Sequence, residues 1–282
     1  MLLEFEKHQK YILIEETKIE TGCGGLYQAQ DLNLGRTVAV KYIQIPGEHR
    51  KEKQLYYQKS YSEIRAMVSL AEDNVNIPHI YETHYDEKNS VLYIIMEWIK
   101  GRTLADIMTV PELTFLQWMI NLCDILSVME RKNLYHKDIK PANIMITETD
   151  KLYLIDFNIS IETPNLVEGT VNYKAPEMSR KSKYQGREKV DMFSIGVMMY
   201  GYYTGSVPVN PGDYAKNRSR GPLEWDKFIE PKEKNINMEE SVNAIIVKCM
   251  KLDPKSRYRN YSELKYELVK AVKKIRWLMK QK

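Results

Sequence analysis

The 282-residue chain has few of the features that mark secreted, metal-stapled or membrane-spanning proteins. Its three cysteines, Cys23, Cys123 and Cys249, form no C-x-x-C pair, so neither a zinc site nor a disulfide framework is indicated. The longest uninterrupted apolar run, residues 91–96, is far shorter than the ~18 residues that a membrane span requires. The amino terminus lacks the basic, apolar and small-residue order of a secretory signal. A reduced, cytoplasmic setting is therefore predicted.

A strong charge bias is also absent. The 42 Lys and Arg against 38 Asp and Glu leave a formal charge of +4, which does not indicate sequence-specific nucleic-acid binding. No internal repeat or low-complexity tract is visible. Apolar residues make up 43% of the chain, which is enough for a globular core and too much for a disordered protein. The length suits one large domain or two small ones.

The most informative stretch is residues 135–143, which read YHKDIKPAN. It holds a carboxylate at Asp138, a cation at Lys140 and an amide at Asn143, and a second carboxylate follows at Asp156. Carboxylate and amide oxygens are ligands that Mg²⁺ accepts, and a cation can neutralise a phosphate. The stretch therefore predicts phosphate chemistry with a metal ion.

The surroundings of this stretch predict a loop held by a hairpin. Pro141 lacks an N–H and fixes its own φ, which favours an extended loop over a helix. The apolar runs 144–146 and 152–155 predict two short antiparallel strands. Such a hairpin would hold the loop and Asp156 together.

Together with the sequence Leu-Ile-Asp-Phe-Asn at 154–158, this stretch resembles the catalytic loop and magnesium-binding motif of eukaryotic-type protein kinases, most of all the bacterial serine/threonine kinases. The resemblance implies an α+β, bilobal fold. The N-lobe, residues 1–99, would hold a small antiparallel sheet and one main helix, and the C-lobe, residues 100–282, would be larger and helical. Together the two lobes would form one kinase domain.

The resemblance also implies the reaction. ATP and Mg²⁺, with Mn²⁺ as an alternative, would serve the transfer of the γ-phosphoryl group to Ser and Thr hydroxyls of protein substrates, with autophosphorylation and a role in bacterial signalling. Asp138 would receive the hydroxyl proton and Lys140 would neutralise the transferred group. Asn143 and Asp156 would bind the metal.

A glycine cluster, Thr21-Gly22-Cys23-Gly24-Gly25, lies between predicted strands at 11–14 and 26–29. Glycines let backbone N–H groups approach a phosphate closely, although a tight hairpin turn is the simpler interpretation of an isolated cluster. A Val-Ala-Val-Lys strand follows at the distance that separates the kinase glycine-rich loop from its lysine.

Two registers of this loop stay open. Counting back from Lys41 places Leu26 over the adenine and Gly24 at the third motif glycine. Ile19 and Thr21 then replace the first two glycines. The other register begins the motif at Gly22 and needs a shortened hairpin, so the first is preferred.

Lys41 is a lone cation in the strand predicted at 37–43, and burying it requires a partner. The resemblance makes it the phosphate-binding lysine, and the alternative is an outward-facing lysine on an edge strand. Its expected partner is Glu63, in a helix predicted from about 54 to 70. Glu52 is also upstream, but the spacing favours Glu63.

Strands are further predicted at 77–81 and 91–96, and the second runs into Met96-Glu97-Trp98-Ile99, which resembles the kinase hinge. Backbone groups of Glu97 and Ile99 would bind the adenine edge, with Met96 at the back of the pocket. The nucleotide-binding residues implied by the resemblance are Gly22, Gly24, Gly25, Leu26, Ala39, Lys41, Met96, Glu97, Ile99, Asn143 and Asp156.

The sequence supports further predictions at three positions in or near this loop. His136 is expected to pack beneath Phe157 rather than to act as a base. Lys137 stands where many kinases have an arginine, which weakens control by a phosphorylated loop. Asn158 replaces a glycine, and asparagine enters left-handed conformations readily.

Residues 169–177 resemble the substrate-docking loop of kinases and end in Ala-Pro-Glu. Thr170 together with Lys140 is the pattern of serine/threonine kinases, so Thr170 joins the catalytic set of Asp138, Lys140, Lys41 and Glu63. The hydroxyls of Ser160, Thr163 and Thr170 are candidate autophosphorylation sites.

The rest of the sequence predicts helices and buried polar residues that support the site. Glu177 and Arg257 match a buried ion pair of the family, and Asp191 matches the aspartate that braces the catalytic loop. A helix is predicted over about 115–133. The final helix, about 262–280, places on one face the residues Leu264, Leu268, Val272, Ile275 and Met279.

The opposite face of that final helix is basic. A packed helix with a solvated basic face is favoured over a membrane-surface or nucleic-acid role, and membrane contact is expected only if the helix adjoins a membrane. Two other functions remain: a nucleotide-binding pseudokinase or scaffold with weak catalysis, and a small-molecule kinase. Oligomeric state is not predicted.

Overall fold

The computed structural model describes residues 1–5, 10–21, 24–47, 49–107, 109–157, 171–178, 188–208 and 228–281. The chain divides into two compact units, Met1–Lys100 and Gly101–Lys282. The first unit holds an antiparallel sheet and one long helix, and the second is mainly helical. The predicted α+β fold, with a sheet-rich N-terminal part and a helical C-terminal part, is confirmed.

The sheet of the first unit has six antiparallel strands in the order β1-β2-β3-β4-β6-β5. β-Branched and aromatic residues at alternating positions favour these strands. Their bounds are β1 Leu2–Glu4, β2 Lys10–Thr21, β3 Gly24–Asp31, β4 Arg36–Gln44, β5 Ile80–Asp86 and β6 Val91–Glu97. The helix α1 spans Arg50–Ala71, between β4 and β5.

Both faces of this sheet carry buried side chains. One face carries a buried cluster from four strands: Tyr11, Leu13, Tyr27, Ala29, Val38, Val40 and Ile95. On the other face Ile64 of α1 packs with Leu92 and Ile94 of β6. Strand residues alternate between the two faces, so β4 and β6 contribute side chains to both clusters.

The predicted strands of this unit are confirmed except at one boundary. The strand predicted at 77–81 runs instead from Ile80 to Asp86. Pro78 has no N–H to donate to a ladder, and Ile77 is buried as a core residue ahead of the strand. β1 was not predicted, because three residues are too few to show an alternating pattern.

The second unit contains five helices among the described residues: α2 Glu112–Arg131, α3 Val190–Thr204, α4 Pro231–Lys234, α5 Glu240–Cys249 and α6 Tyr261–Met279. A small antiparallel sheet has the order β7-β8-β9, with bounds Gly101–Thr103, Ile144–Thr147 and Leu152–Leu154. α2 is apolar on a broad face and packs against α6. The prediction of a buried helix ahead of the loop at 135–143 is confirmed.

The terminal helix α6 begins after Asn260, whose side-chain oxygen accepts the backbone N–H of Glu263 at 2.9 Å. Its predicted apolar positions are buried as far as Ile275. Met279, the last of these positions, is 54% exposed. It ends the helix, in a last turn where Leu278 is also exposed. Among the helices of the described ranges, none is long and apolar enough to cross a bilayer.

Candidate active site

The hairpin of β8 and β9 places two of the candidate site residues at one end. Ile144 pairs with Leu154, and the N–H of Ile155 donates to the carbonyl oxygen of Asn143 at 3.0 Å. Asn143 therefore lies just before β8 and Asp156 lies just after β9, at the same end of the hairpin. The hairpin predicted from the two apolar runs is confirmed.

The loop at 135–143, which was expected to be catalytic, is tied together by hydrogen bonds to Asp138. Residues Pro141–Asn143 form a short 3₁₀ turn, which brings the Asn143 side chain back to Asp138. Asn143 Nδ2 donates to the Asp138 carbonyl oxygen at 2.8 Å and to its Oδ2 at 3.0 Å. Lys140 Nζ donates to the same Oδ2 at 2.7 Å. The three side chains form one polar cluster, with Asp138 only 6% and Asn143 4% exposed.

This geometry gives the nitrogen and the oxygen of the Asn143 amide different roles. The nitrogen Nδ2 faces Asp138, so the oxygen Oδ1 is the atom that can bind a metal ion. One amide oxygen and one carboxylate are a sufficient protein contribution for Mg²⁺, which keeps phosphate and water ligands. The donor set at Asn143 and Asp156 fits that ion.

A side chain of α3 fixes the backbone that leads into the loop. The carboxylate of Asp191 accepts the N–H of His136 at 2.7 Å and that of Lys137 at 2.6 Å. Burial raises the pKa of Asp191, while these two N–H donors act in the opposite direction. The predicted brace is confirmed.

Lys137 has a φ of +67°, in the left-handed region that non-glycine residues seldom enter. A lysine held there is strained by roughly 1–2 kcal/mol. The two hydrogen bonds to Asp191 fix the backbone at this residue, so they stabilise the strained loop.

His136 is fully buried and serves packing. Its Nε2 lies 3.1 Å from the carbonyl oxygen of Ile155, and because a carbonyl only accepts, Nε2 carries the proton. Its ring lies 4.9 Å from that of Phe157, so the expected packing is confirmed. Burial lowers the pKa of His136, which keeps the imidazole neutral. A side chain with no solvent access does not meet a substrate.

Asp156 also has a left-handed backbone, with φ +58°. The residue after it, Phe157, is buried against His136, while Asp156 itself is exposed. Aspartate tolerates this conformation better than most residues. Strained backbone at Lys137 and at Asp156 flanks the same hairpin, and such strain clusters at functional sites.

A buried ion pair supports the segment that ends at Glu177. Arg257 donates to the two carboxylate oxygens of Glu177 at 2.6 and 2.8 Å, and Arg257 Nη1 also donates to the carbonyl of Lys189 at 2.9 Å. The predicted pair is confirmed. Loss of one partner would leave a buried charge uncompensated, at about 3–5 kcal/mol.

In the first unit, the strand register places four candidate nucleotide-binding residues on one face of the sheet. Leu26 pairs with Lys41, and Ala39 pairs with Met96. Paired residues and residues two apart on a strand share a face. β4 lies between β3 and β6, so the alternative of an edge-strand lysine is wrong.

α1 packs on this same face through Ile64, the residue after Glu63. Glu52 lies in the first turn of the helix, about 16 Å along the axis from Glu63 at 1.5 Å per residue. The two carboxylates therefore lie in different parts of α1. Glu63 is the one next to Ile64, where the helix packs on the sheet. Its pairing with Lys41 stays a prediction.

The glycine cluster sits in a hairpin, since Thr21 of β2 pairs with Gly24 of β3. A Cβ on Gly24 would lie 1.9 Å from the carbonyl oxygen of Tyr42, closer than any real contact. A Cβ on Gly25 would lie 2.7 Å from the Tyr42 ring. Both positions need glycine because β4 passes directly beside them.

At the expected hinge, the N–H of Glu97 donates to the carbonyl of His79 at 2.8 Å. An adenine contact at this residue would therefore use the Glu97 carbonyl. Ile99 follows β6 and is buried. Several predicted residues lie outside the described ranges: Gly22, Asn158, Ser160, Thr163 and Thr170.

Sequence reasoning missed two contacts. Asn143 was assigned to the metal alone, although its amide nitrogen also holds Asp138, and its position five residues after an aspartate was the available signal. The hydroxyl of Ser194 donates to the carbonyl of Tyr173 at 2.8 Å and ties α3 to the segment at 171–178. A serine inside an apolar helix gave no sign of that partner.

Comparison with known proteins agrees with this geometry. The sequence matches the protein kinase domain over residues 16–269. The chain therefore belongs to the protein kinase family.

Bacterial relatives resemble most of this chain. A probable serine/threonine-protein kinase of Clostridium perfringens is 29% identical over 265 residues, which are 90% of this chain and 37% of that protein. One from Clostridium acetobutylicum is 30% identical over 88% of this chain and 38% of its own length. The serine/threonine-protein kinase PknB of Mycobacterium leprae is 27% identical over 89% and 42% respectively. The chain spans about two fifths of the length of these relatives.

Proposed function

We propose that this chain is an ATP-dependent protein serine/threonine kinase domain. The observation that carries the proposal is the cluster in which Lys140 and Asn143 both donate to Asp138 Oδ2. A carboxylate that is buried and held from two sides is suited to orient a hydroxyl and receive its proton. The relatives' names as serine/threonine kinases support the choice of acceptor.

Each residue has a role that its environment supports. Asp138 orients the acceptor hydroxyl and takes its proton. Lys140, whose ammonium group lies 2.7 Å from that carboxylate, neutralises negative charge on the transferred phosphoryl group. Asn143 Oδ1 and Asp156 would hold Mg²⁺, or Mn²⁺, which supplies charge neutralisation at the phosphates when bound.

The first unit is proposed to hold the nucleotide. Lys41, assisted by Glu63, contacts the α- and β-phosphates, and the glycine hairpin covers them. Leu26, Ala39 and Met96, on the same sheet face as Lys41, line the adenine site. Glu97 and Ile99 bind the adenine edge through backbone groups. Thr170 is proposed to contact the protein acceptor, and autophosphorylation, bacterial signalling and a cytoplasmic setting complete the proposal.

The test is transfer of label from γ-labelled ATP to a generic Ser/Thr-containing protein, with Mg²⁺ and with a chelator. The expected result is Mg²⁺-dependent labelling on phosphoserine or phosphothreonine. An unlabelled acceptor and unlabelled chain, in a preparation that ATP stabilises thermally, would contradict the proposal.

That last outcome is what a nucleotide-binding scaffold would give. One observation favours this second function: Ile19, at the preferred position of the first motif glycine, is an exposed apolar residue. A side chain there limits how closely the hairpin backbone covers a phosphate. The labelling assay and the thermal shift together separate the two functions.

A further inference from the structure

Tyr42 directly follows Lys41, the proposed phosphate-binding lysine, along β4. Successive residues of a strand point to opposite faces of a sheet, so Tyr42 lies on the face away from Lys41. We call this the outer face. There Tyr42 packs against the buried cluster that contains Tyr27 and Val40. The proposed kinase chemistry assigns no function to the outer face.

The ring of Tyr42 covers Gly25 of the glycine hairpin. The two residues are paired across β3 and β4. A Cβ on Gly25 would lie 2.7 Å from Cε1 of the Tyr42 ring and 2.9 Å from its hydroxyl oxygen. Gly25 is buried although it has no side chain of its own. The tyrosine ring therefore fills the place of a side chain at Gly25, an arrangement by which aromatic residues stabilise glycine in β-sheets.

Other aromatic side chains of the outer face hold this ring in place. The rings of Tyr27 and Tyr42 are stacked, with their centroids 5.8 Å apart and their planes 28° from parallel. Tyr93 of β6 is the residue paired with Tyr42 on its other side, and it packs against the same cluster. Aromatic neighbours on adjacent strands stabilise one another. Tyr42 therefore links the core of the sheet to the glycine hairpin.

The hairpin has little support of its own near its glycines. The pairing of β2 with β3 is interrupted between Ile14 and Ile19. It then resumes for three described pairs: Ile19 with Leu26, Glu20 with Gly25 and Thr21 with Gly24. Glycine weakens a strand because it has no side chain to pack and a freer backbone. The conformation of this part of the hairpin therefore depends on its contacts with β4.

We propose that Tyr42 is a positioning residue for nucleotide binding. Its ring covers Gly25 and so holds the glycine hairpin on β4, in the conformation in which the hairpin backbone approaches the phosphates on the face of Lys41. Tyr42 contacts no substrate atom and acts through Gly25. The proposal rests on the proposed binding of ATP by the first unit and adds a residue to it.

A role in packing alone is the alternative, and the two roles differ in their effect on ATP. A residue that only stabilises the core changes the free energy of unfolding and leaves the affinity of the folded chain for ATP unchanged. A hairpin that spends only a fraction of its time in the binding conformation lowers the apparent affinity by that fraction. Because the hairpin contact does not differ between bound substrate and transition state, KM rises and kcat is unchanged.

The test compares the transfer kinetics of Tyr42→Ala, Tyr42→Phe and a matched control, Phe5→Ala, with γ-labelled ATP. Phe5 packs against the same cluster, beside Tyr93 at 5.3 Å and His84 at 3.9 Å between ring centroids. In Tyr42→Ala the KM for ATP should rise about fivefold, the factor that corresponds to one lost cross-strand aromatic contact, with kcat unchanged. Tyr42→Phe keeps the ring and should have the KM of the parent.

The control separates positioning from stability. Phe5→Ala removes an aromatic ring from the same cluster, so it should lower the unfolding temperature as Tyr42→Ala does. Its KM for ATP should equal that of the parent, because Phe5 is not paired with the glycine hairpin.

A second measurement does not depend on catalysis. Amide hydrogen exchange over residues 19–26, in the nucleotide-free chain, should be about fivefold faster in Tyr42→Ala than in the parent, because the same contact is lost. The exchange rate should be that of the parent in Tyr42→Phe and in Phe5→Ala.

Three outcomes would overturn the proposal. An unchanged KM in Tyr42→Ala, with a lower unfolding temperature, would make Tyr42 a packing residue only. An equal rise in Tyr42→Ala and Phe5→Ala would show a general loss of stability. A KM in Tyr42→Phe as high as that of Tyr42→Ala would show that the ring is not the positioning group.

Failure of the proposed function would give a different result. The parent chain would then neither transfer label nor be stabilised by ATP. Hydrogen exchange would still decide whether Tyr42 holds the hairpin, and equal exchange rates in the parent and in Tyr42→Ala would contradict that role.

Discussion

The catalytic loop and the glycine hairpin hold their shapes in different ways. In the loop, side-chain hydrogen bonds hold the backbone. Asp191 accepts two backbone N–H groups, and Asn143 and Lys140 both donate to Asp138. In the hairpin, the absence of side chains matters, because Gly24 and Gly25 let β4 pass beside them.

The difference bears on the departures of the glycine hairpin from the kinase pattern; the loop itself departs at Lys137. A loop built on specific donors and acceptors tolerates few changes, since one lost partner leaves a buried polar group unsatisfied. A hairpin whose requirement is backbone proximity can exchange residues that do not meet β4. On the preferred register, Ile19 and Thr21 would replace two motif glycines and Gly24 would keep the third.

The largest effect should follow from Asp138→Asn. The amide keeps the shape of the side chain but cannot take the hydroxyl proton, so transfer should fall by about 10²–10⁴-fold. Phosphate incorporation into a protein acceptor measures it. Thermal stabilisation by ATP should be retained, and a variant that still transfers at the parent rate would remove Asp138 from the proposed role.

The brace of the loop is tested by Asp191→Ala. Two buried N–H groups, of His136 and Lys137, lose their acceptor, and each should lower the free energy of unfolding by about 1–3 kcal/mol. Urea unfolding is the measurement. The matched control is Asp253→Ala, which removes a half-buried carboxylate whose hydrogen bond from the N–H of Lys255, at 2.9 Å, is exposed.

The control should lose only about 1 kcal/mol, because water replaces an exposed cap. Equal losses in the two variants would mean that burial of the Asp191 contacts contributes nothing.

The hairpin side of the comparison is tested by Gly24→Ala. The new methyl group would lie 1.9 Å from the Tyr42 carbonyl, so β3 and β4 must separate, at about 1–3 kcal/mol. Gly35→Asn is the matched control, since Gly35 has φ +65° with open space around it, and asparagine tolerates that conformation. Unfolding free energies that change alike would contradict the close approach.

The smallest effect concerns pH and His136. Its pKa is lowered in the folded chain from the ordinary 6.5, so the unfolded chain takes up the proton first as pH falls, and stability is lost below about 6.5. Between pH 6.5 and 5.5 the parent should lose up to about 1 kcal/mol more than His136→Gln. Asp191, whose pKa is raised from 3.8, acts in the opposite direction at lower pH.

His79→Gln is the control for that measurement, because His79 is exposed. Urea titrations of the three proteins at the two pH values give the comparison. A pH dependence that is the same in the parent and in His136→Gln would show that this imidazole does not titrate on unfolding.

The comparison also shows what sequence can predict. The hairpin of β8 and β9, the Glu177–Arg257 pair and the Asp191 brace were predicted because each follows from a local pattern or from a resemblance in motif order. β1 was not predicted, since its three residues gain their structure only by pairing with β2.

Side-chain geometry was less accessible. The donation from Asn143 to Asp138 depends on a 3₁₀ turn, and the exposure of Met279 depends on how far the packed part of α6 extends. Neither is encoded in a periodic pattern. Both follow from tertiary contacts that a single sequence does not display.

The most direct test of the account is Mg²⁺-dependent ATP binding, measured by thermal shift in three variants side by side. Asp138→Asn should keep the additional stabilisation that Mg²⁺ gives with ATP, because the role proposed for Asp138 is proton transfer. Asn143→Ala and Asp156→Ala should lose that additional stabilisation, because each removes a proposed metal ligand. Full Mg²⁺-dependent stabilisation of Asp156→Ala would contradict the account.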